Sequence, residues 1–297
     1  MKFLEEKLEK QYGTKITKEI IEGYQTKRKT TLRINTIKSN IEEIKNELEK
    51  EKIEYETVKW SKEALIIKNA DEKTIQEMEI YKNGKIYLQS LSSMLPPIIL
   101  EPKEETDILD MAAAPGGKTT QIAAITNNKA HITACEKNKI RAERLKYNVD
   151  KQGATCVFIM PKDSRFIDDF FSFDQILLDA PCSGSGTLDY NDANIEKYFT
   201  KQLIERSTTT QKTLLKKAIN LLKPGHEMVY STCSILSCEN EDVVESILKD
   251  GKAEIIPISF EGIESLPVLP TKIPGTLCVC PTELYEGFFV TKIRKKL

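Results

Sequence analysis

The stretch Asp107-Ile-Leu-Asp-Met-Ala-Ala-Ala-Pro-Gly-Gly-Lys-Thr-Thr120 decides the fold. Asp107–Met111 reads as a short strand, and the small residues after it let the chain turn tightly into a helix starting at Gly117. The rhythm then repeats: Ala130–Cys135 and a helix from Asn138 to Gln152, Thr155–Met160, Asp174–Asp179, a long helix through Gln202–Leu222, Glu227–Ser231, and a helix after Glu239. Strands alternating with helices predict an α/β fold with a mostly parallel sheet. Leu277–Cys280 and Gly287–Ile293 read as a closing antiparallel pair. Upstream the pattern is α+β, with a helix at Ile41–Glu51 and strands at Glu54–Lys59, Ala64–Lys68 and Gly84–Gln89. Residues 1–100 are therefore expected to form a small N-terminal module and linker, and 101–297 the main α/β domain.

Open parallel sheets bind ligands at the carboxyl ends of their strands, and the chemistry-bearing residues cluster there. After the first such strand, Gly117-Lys118-Thr119 resembles the end of a nucleotide P-loop, but that motif needs glycine at position 112, where this chain has Ala. The spacing of a dinucleotide fingerprint is also missing, which leaves a turn suited to a smaller charged cofactor whose carboxylate the helix N-terminus can receive. The second strand ends at Glu136, an acid placed to accept ribose hydroxyls or simply to start a helix. The third leads to Asp163, placed to accept from an exocyclic amine.

The fourth and fifth strands close on Asp179-Ala-Pro-Cys182-Ser-Gly-Ser-Gly186 and Tyr230-Ser-Thr-Cys233-Ser234. Cysteine is most often a small core residue, but two at strand ends, in turns of Ser, Thr, Gly and Pro, are poor core candidates. Neither His131 nor His226 completes a metal-ligand spacing, so no metal is expected. The other five of seven cysteines are assigned to packing or surface.

Composition bounds the rest. With 40% hydrophobic and 30% charged residues, the 297-residue chain is globular rather than disordered. Its opening residues lack the order of a secretory signal and no apolar run approaches membrane-spanning length, so a cytoplasmic protein with free thiols is expected, with no membrane partner. The net charge of −1 conceals segregation. Gln25–Lys38 holds five basic residues and no acid, Lys197–Lys217 holds six against Glu205, and Lys292–Leu297 adds four. These stretches read as solvated helix faces or as a grip on phosphates, with Arg33, Lys201 and Arg206 as the candidate phosphate contacts.

The motifs DMAAAPGGKTT, DAPCSGSGTL and YSTCS, with ENEDVV, GFFV, LRINT (32–36) and LQSLSSMLPPIIL (88–100), strongly resemble the RNA 5-methylcytosine methyltransferases of the NOL1/NOP2/Sun family, in particular its compact archaeal-type members acting on tRNA. The resemblance implies a Rossmann-like class I methyltransferase sheet with an RRM-like N-terminal module, and a monomer. It also implies S-adenosylmethionine as cofactor, held by Ala112, Ala113, Ala114, Pro115, Gly116, Gly117, Lys118, Glu136 (ribose), Arg141, Asp163 (adenine) and Asp179. Cys233 corresponds to the nucleophile and Cys182 to the cysteine needed for product release. Asp179, its pKa raised by burial, would protonate the base, and Lys118 would help hold base or cofactor. Ribosomal RNA as substrate, or a non-catalytic RNA-binding assembly factor, are the alternatives.

Overall fold

The computed structural model describes all 297 residues. From Asp107 onward, strands β5 (Asp107–Asp110), β6 (His131–Cys135), β7 (Val157–Met160), β8 (Phe173–Asp179) and β9 (Leu222–Thr232) run parallel in the order β9-β8-β5-β6-β7. The last strand, β13 (Phe288–Lys295), pairs antiparallel with β9, β10 (Ala253–Ile256) and β12 (Leu277–Val279), and β11 (Val268–Leu269) closes that edge. The expected sheet and its antiparallel closure are present. Strand β9 starts five residues before the expected Glu227, because Lys223-Pro-Gly is carried within the strand rather than ahead of it.

Side chains alternate across this sheet with the period of two that a strand imposes. Ile108, Leu177, Val229 and Val290 face one apolar core with helices α5 (Leu91–Leu100), α6 (Gly117–Ile125) and α7 (Lys139–Gln152). Leu109, Leu178, Tyr230 and Phe289 face the other, under α9 (Lys201–Leu221) and α10 (Glu241–Leu248). The result is three layers, with every parallel strand ending at one edge.

The upstream module is a four-stranded antiparallel sheet in the order β2-β3-β1-β4, from β1 (Thr31–Ile34), β2 (Tyr55–Val58), β3 (Ser61–Ile67) and β4 (Ile86–Leu88). Helix α2 (Ile41–Lys50), capped by the Asn40 side chain, and short α3 (Glu72–Glu77) and α4 (Glu79–Lys82) cover one face. There Ile44, Leu48, Ile75 and Ile80 pack on Leu32, Ile34, Leu65 and Ile67.

The module's other sheet face packs on the catalytic domain. An RRM-like unit stacks RNA on its open sheet surface, yet here Ala64 and Ile66 join the catalytic core, and the Trp60 indole N–H donates to Tyr285 Oη at 2.9 Å. Arg33 is 3% exposed. Its Nε donates to Gln89 Oε1 (3.0 Å), and its Nη2 to Thr120 Oγ1 (3.1 Å) and the Gly117 carbonyl (3.3 Å). Arg33 is a strut between module and catalytic domain and has no fork left for a phosphate.

The boundary at residue 100 also differs from the packing. Helix α1 (Lys2–Gln25), broken at Gly13 by non-helical dihedrals, lays Leu4, Leu8, Tyr12, Ile20 and Tyr24 into the core under α9, and α5 packs in the opposite catalytic layer. Tyr12 Oη donates to the Ile235 carbonyl at 2.6 Å, and Tyr24 Oη to the Ser185 carbonyl. Chain order assigns these helices to the first hundred residues; their apolar faces belong to the catalytic body.

Three of the four C-terminal basic residues have partners, Lys295 on the Asn220 and Leu222 carbonyls, while Lys296 is exposed. Lys292 pairs with Glu101 and Glu227, and Arg294 with Glu227. Arg294 lies opposite Glu227, six residues before Cys233 along the chain, so this cluster sits roughly 20 Å from the strand ends at 3.3 Å per residue.

Because Leu8 is fully buried in the catalytic core, Leu8→Ala is expected to lower the stability of the whole catalytic domain by about 2–5 kcal/mol. Denaturant unfolding followed at the lone Trp60 and by far-UV dichroism checks this. A loss of only the first helix would show that α1 is an independent appendage.

Candidate active site

The strand ends open into a cleft of about 600 Å³ between the catalytic domain and the module. Asp110, Ala112, Ala113, Ala114, Pro115, Gly117, Lys118, Asp179 and Cys233 all line it. Gly116 turns the chain with φ +112°, where L side chains are rarely found, and an added Cβ would press on Leu145. That turn aims the start of α6 at the cleft.

Asp110, not singled out from the sequence, is 1% exposed and accepts from Thr119 Oγ1 at 2.7 Å. Burial pushes its carboxyl up to about 6, with the Thr119 hydrogen bond opposing and the neighbouring Asp179 charge adding to the rise. Lys118 donates to Asp179 Oδ2 at 2.8 Å and to Ser93 Oγ at 2.7 Å. Burial draws the Lys118 ammonium down, but the charge and hydrogen bond of Asp179 outweigh it and leave the pKa above the usual lysine value. Asp179 also accepts from Ser231 Oγ at 2.7 Å. Its carboxylate is thus an acceptor on both oxygens. Lys118 is the cation of this pair.

The two cysteine turns meet. Cys182 Sγ and Cys233 Sγ are 3.1 Å apart; Cys233 borders the cleft, and Cys182 is in contact with it without lining the cleft. The hydrogen bond with Cys233, then burial, hold the Cys182 thiol well above the ordinary cysteine value, so Cys182 stays protonated beside Cys233. Lys118 and Cys233 line the same cleft.

What clamps the turns together is Glu239, fully buried and also not singled out. Its carboxylate accepts from Ser183 N (2.8 Å) and Ser183 Oγ (2.5 Å) beside Cys182, from Ser234 Oγ (2.7 Å) beside Cys233, and from Gln211 Nε2 (3.2 Å) on α9. Backbone contact completes the joint: Gly186 N donates to the Cys233 carbonyl at 2.9 Å, and a Cβ on Gly186 would lie 1.9 Å from the Gly287 carbonyl oxygen.

Four candidate cofactor residues do not line the cleft: Gly116 in the glycine turn, Glu136 and Asp163 after their strands, and Arg141 on the first turn of α7. Glu136 is 5% exposed and accepts from Asn138 N at 2.8 Å, with Arg141 Nε 3.5 Å away. Arg141 donates to the Ala114 carbonyl at 2.9 Å and so braces the glycine turn. Asp163 is gripped by Arg165, whose side-chain hydrogen bonds, outweighing burial, lower its pKa. Lys201 and Arg206 are exposed on the first turns of α9 and do not border the cleft. No three His, Cys, Asp or Glu side chains group to hold a metal, and no helix is long and apolar enough to cross a membrane.

Asp110 supplies a pH test. Its folded pKa of about 6 exceeds an unfolded value of 3.8, so the folded state binds this proton more tightly and stability falls as pH rises through that window. Between pH 4 and 6.5 the wild type is expected to lose of order 2 kcal/mol relative to Asp110→Asn. Parallel pH–stability profiles would contradict the assignment.

Residues 97–294 match the family described as 16S rRNA methyltransferase RsmB/F, and residues 2–72 match that group's ferredoxin-like domain. The chain is 37% identical to a tRNA (cytosine(49)-C(5))-methyltransferase of Pyrococcus abyssi over 89% of this chain and 88% of that one. It is 35% identical to ribosomal RNA small subunit methyltransferase F of a Shewanella strain over 89% of this chain, but spans only 56% of that protein. The crystal structure of a methyltransferase homologue from Pyrococcus horikoshii superposes with TM-score 0.86 at 31% identity, covering 100% of this chain and 95% of the other. The expected family, fold class and enzyme class therefore hold, and the chain belongs to the RsmB/F methyltransferase family.

Proposed function

We propose that the chain methylates C5 of a cytosine in tRNA through a covalent bond between Cys233 and C6 of the base. As a methyltransferase of this family it uses S-adenosylmethionine, which supplies an electrophilic methyl group. The cleft fits such a ligand: its volume lies in the small-molecule range, the glycine turn leaves backbone free at the start of α6, and Asp110 and Asp179 bring carboxylates to the same wall. Ala112–Lys118 and Asp179 would hold the cofactor, with Glu136 and Asp163 reaching ribose and adenine once their internal contacts are exchanged, and Arg141 keeping the turn in place.

The observation that carries the reading is the 3.1 Å contact between two thiols, one lining a cleft that holds the Lys118–Asp179 pair. C5 of cytosine is a poor nucleophile. Addition of the Cys233 thiolate to C6 converts the ring to an enamine and splits one difficult step into two easier ones. As the sulfur adds, charge accumulates toward N3, and Lys118, held by Asp179, donates a proton or hydrogen bond there. Once C5 carries methyl, its proton must leave before the C6–S bond can break. Bonding of Cys233 to carbon removes the main cause of the high Cys182 pKa, so Cys182 can release its own proton to water and, as a thiolate, take the C5 proton while the C6–S bond breaks and Cys233 leaves as thiolate. Reaching C5 requires the base to be flipped out of its stack, at a cost of a few kcal/mol.

The tRNA assignment rests on likeness to the Pyrococcus abyssi enzyme along nearly its whole length. The Shewanella relative supports ribosomal RNA as the second reading. Bisulfite sequencing of total RNA from a strain lacking the gene is expected to show one tRNA cytosine losing its methylation; loss confined to ribosomal RNA would reverse the order. Cys233→Ala is expected to cut turnover by about 10³-fold or more. Cys182→Ala should accumulate a denaturation-resistant protein–RNA adduct, seen as a shifted band on a denaturing gel. Normal turnover by Cys182→Ala without adduct would sink the assigned roles.

A further inference from the structure

The basic stretch Gln25–Lys38 divides sharply once folded. Arg33 is consumed by the joint between module and catalytic domain, Lys29 pairs with Glu283 at 3.2 Å, and Lys38 donates to the Lys151 and Asn83 carbonyls. Arg28 differs from all three. It lies on the coil between α1, seated on the catalytic body, and β1 of the module, and it lines the same cleft as Lys118, Asp179 and Cys233. Its Nε and Nη2 are buried and have no hydrogen-bond partner in the protein.

Buried polar groups almost always find partners, and an unpaired charged donor is among the costlier exceptions. Nε and Nη2 form one edge of the guanidinium, the fork that meets two oxygens of a phosphate or carboxylate at once. The groups around it suit a nucleic-acid strand: the module side of the cleft adds Tyr81 and Tyr87, and Lys151 sits 3.6 Å over the Tyr81 ring. The glycine turn occupies another part of the lining and offers its own helix start to a cofactor carboxylate.

We propose that Arg28 is the anion clamp of the cleft, taking a backbone phosphate of the RNA next to the cytidine delivered to Cys233. This rests on the RNA-methyltransferase reading above and names the residue that seats the substrate. It also moves the RNA path from the module's sheet face, which is covered, to the seam between module and catalytic domain.

Equilibrium binding of an unmodified tRNA transcript to the full chain, measured over a series of KCl concentrations, tests the clamp. Arg28→Ala should weaken binding about tenfold and lower the salt slope by about one. Arg28→Lys should keep most of the slope while losing part of the affinity, because charge survives and the fork does not. Both should melt as cooperatively as wild type and bind S-adenosylmethionine unchanged by calorimetry. Unchanged RNA affinity and slope in a folded Arg28→Ala protein overturn the clamp alone. A selective loss of S-adenosylmethionine affinity also overturns it, by giving the fork to the cofactor's carboxylate. Wild-type protein that fails to bind RNA overturns the functional reading and the clamp with it.

Discussion

The site depends on one buried carboxylate. Glu239 sits after the fifth parallel strand, yet its four accepted hydrogen bonds reach both cysteine turns and the long helix beneath them. A carboxylate without solvent is tolerated only when its oxygens are satisfied, and here the donors are residues adjacent to Cys182 and Cys233. Satisfying Glu239 therefore fixes the two loops to each other. The 3.1 Å sulfur contact, the protonated state of Cys182 and the exposure of Cys233 to the cleft all follow from that closure.

Charge is organised around the same edge of the sheet. Lys118 leaves the first turn of α6 to meet Asp179 at the end of β8, so a cation stands on the cleft wall that the glycine turn and Cys233 also line. Part of the chain's basic excess is spent elsewhere: Lys292 and Arg294 neutralise Glu227 at the far end of β9 and β13, and Arg33 is buried in the interdomain joint. Net charge and local basic density are poor guides to an RNA surface when ion pairing and burial decide which cations remain available.

Much of the fold was legible in sequence because its signals are local. Strand–turn–helix alternation, the glycine turn at 115–117 and the two cysteine turns are each contained in a dozen residues, and the strands that were expected lie within a few residues of where they form, whereas β1, β10 and β11 were not expected. What escaped is non-local. Leu4, Leu8, Tyr12, Ile20 and Tyr24 form an apolar helix face, but nothing in their spacing says which domain it covers. Glu239 looked like an ordinary helix-start acid, since its partners are Ser183, 56 residues earlier, and Gln211 on another element. Arg33 and Arg28 are indistinguishable by composition; one faces a packed sheet surface and the other a cleft.

In the proposed mechanism Cys233, presented by this joint, bonds to C6 while Cys182 serves the departing proton. Replacing hydrogen by fluorine at C5 of the target cytidine removes the proton that must leave, so a covalent intermediate cannot resolve. Peptide mass spectrometry of wild-type protein incubated with such RNA and S-adenosylmethionine is the most direct measurement. The account predicts a methylated nucleotide adduct on the peptide carrying Cys233. An adduct on Cys182, or turnover with no adduct at all, would contradict it.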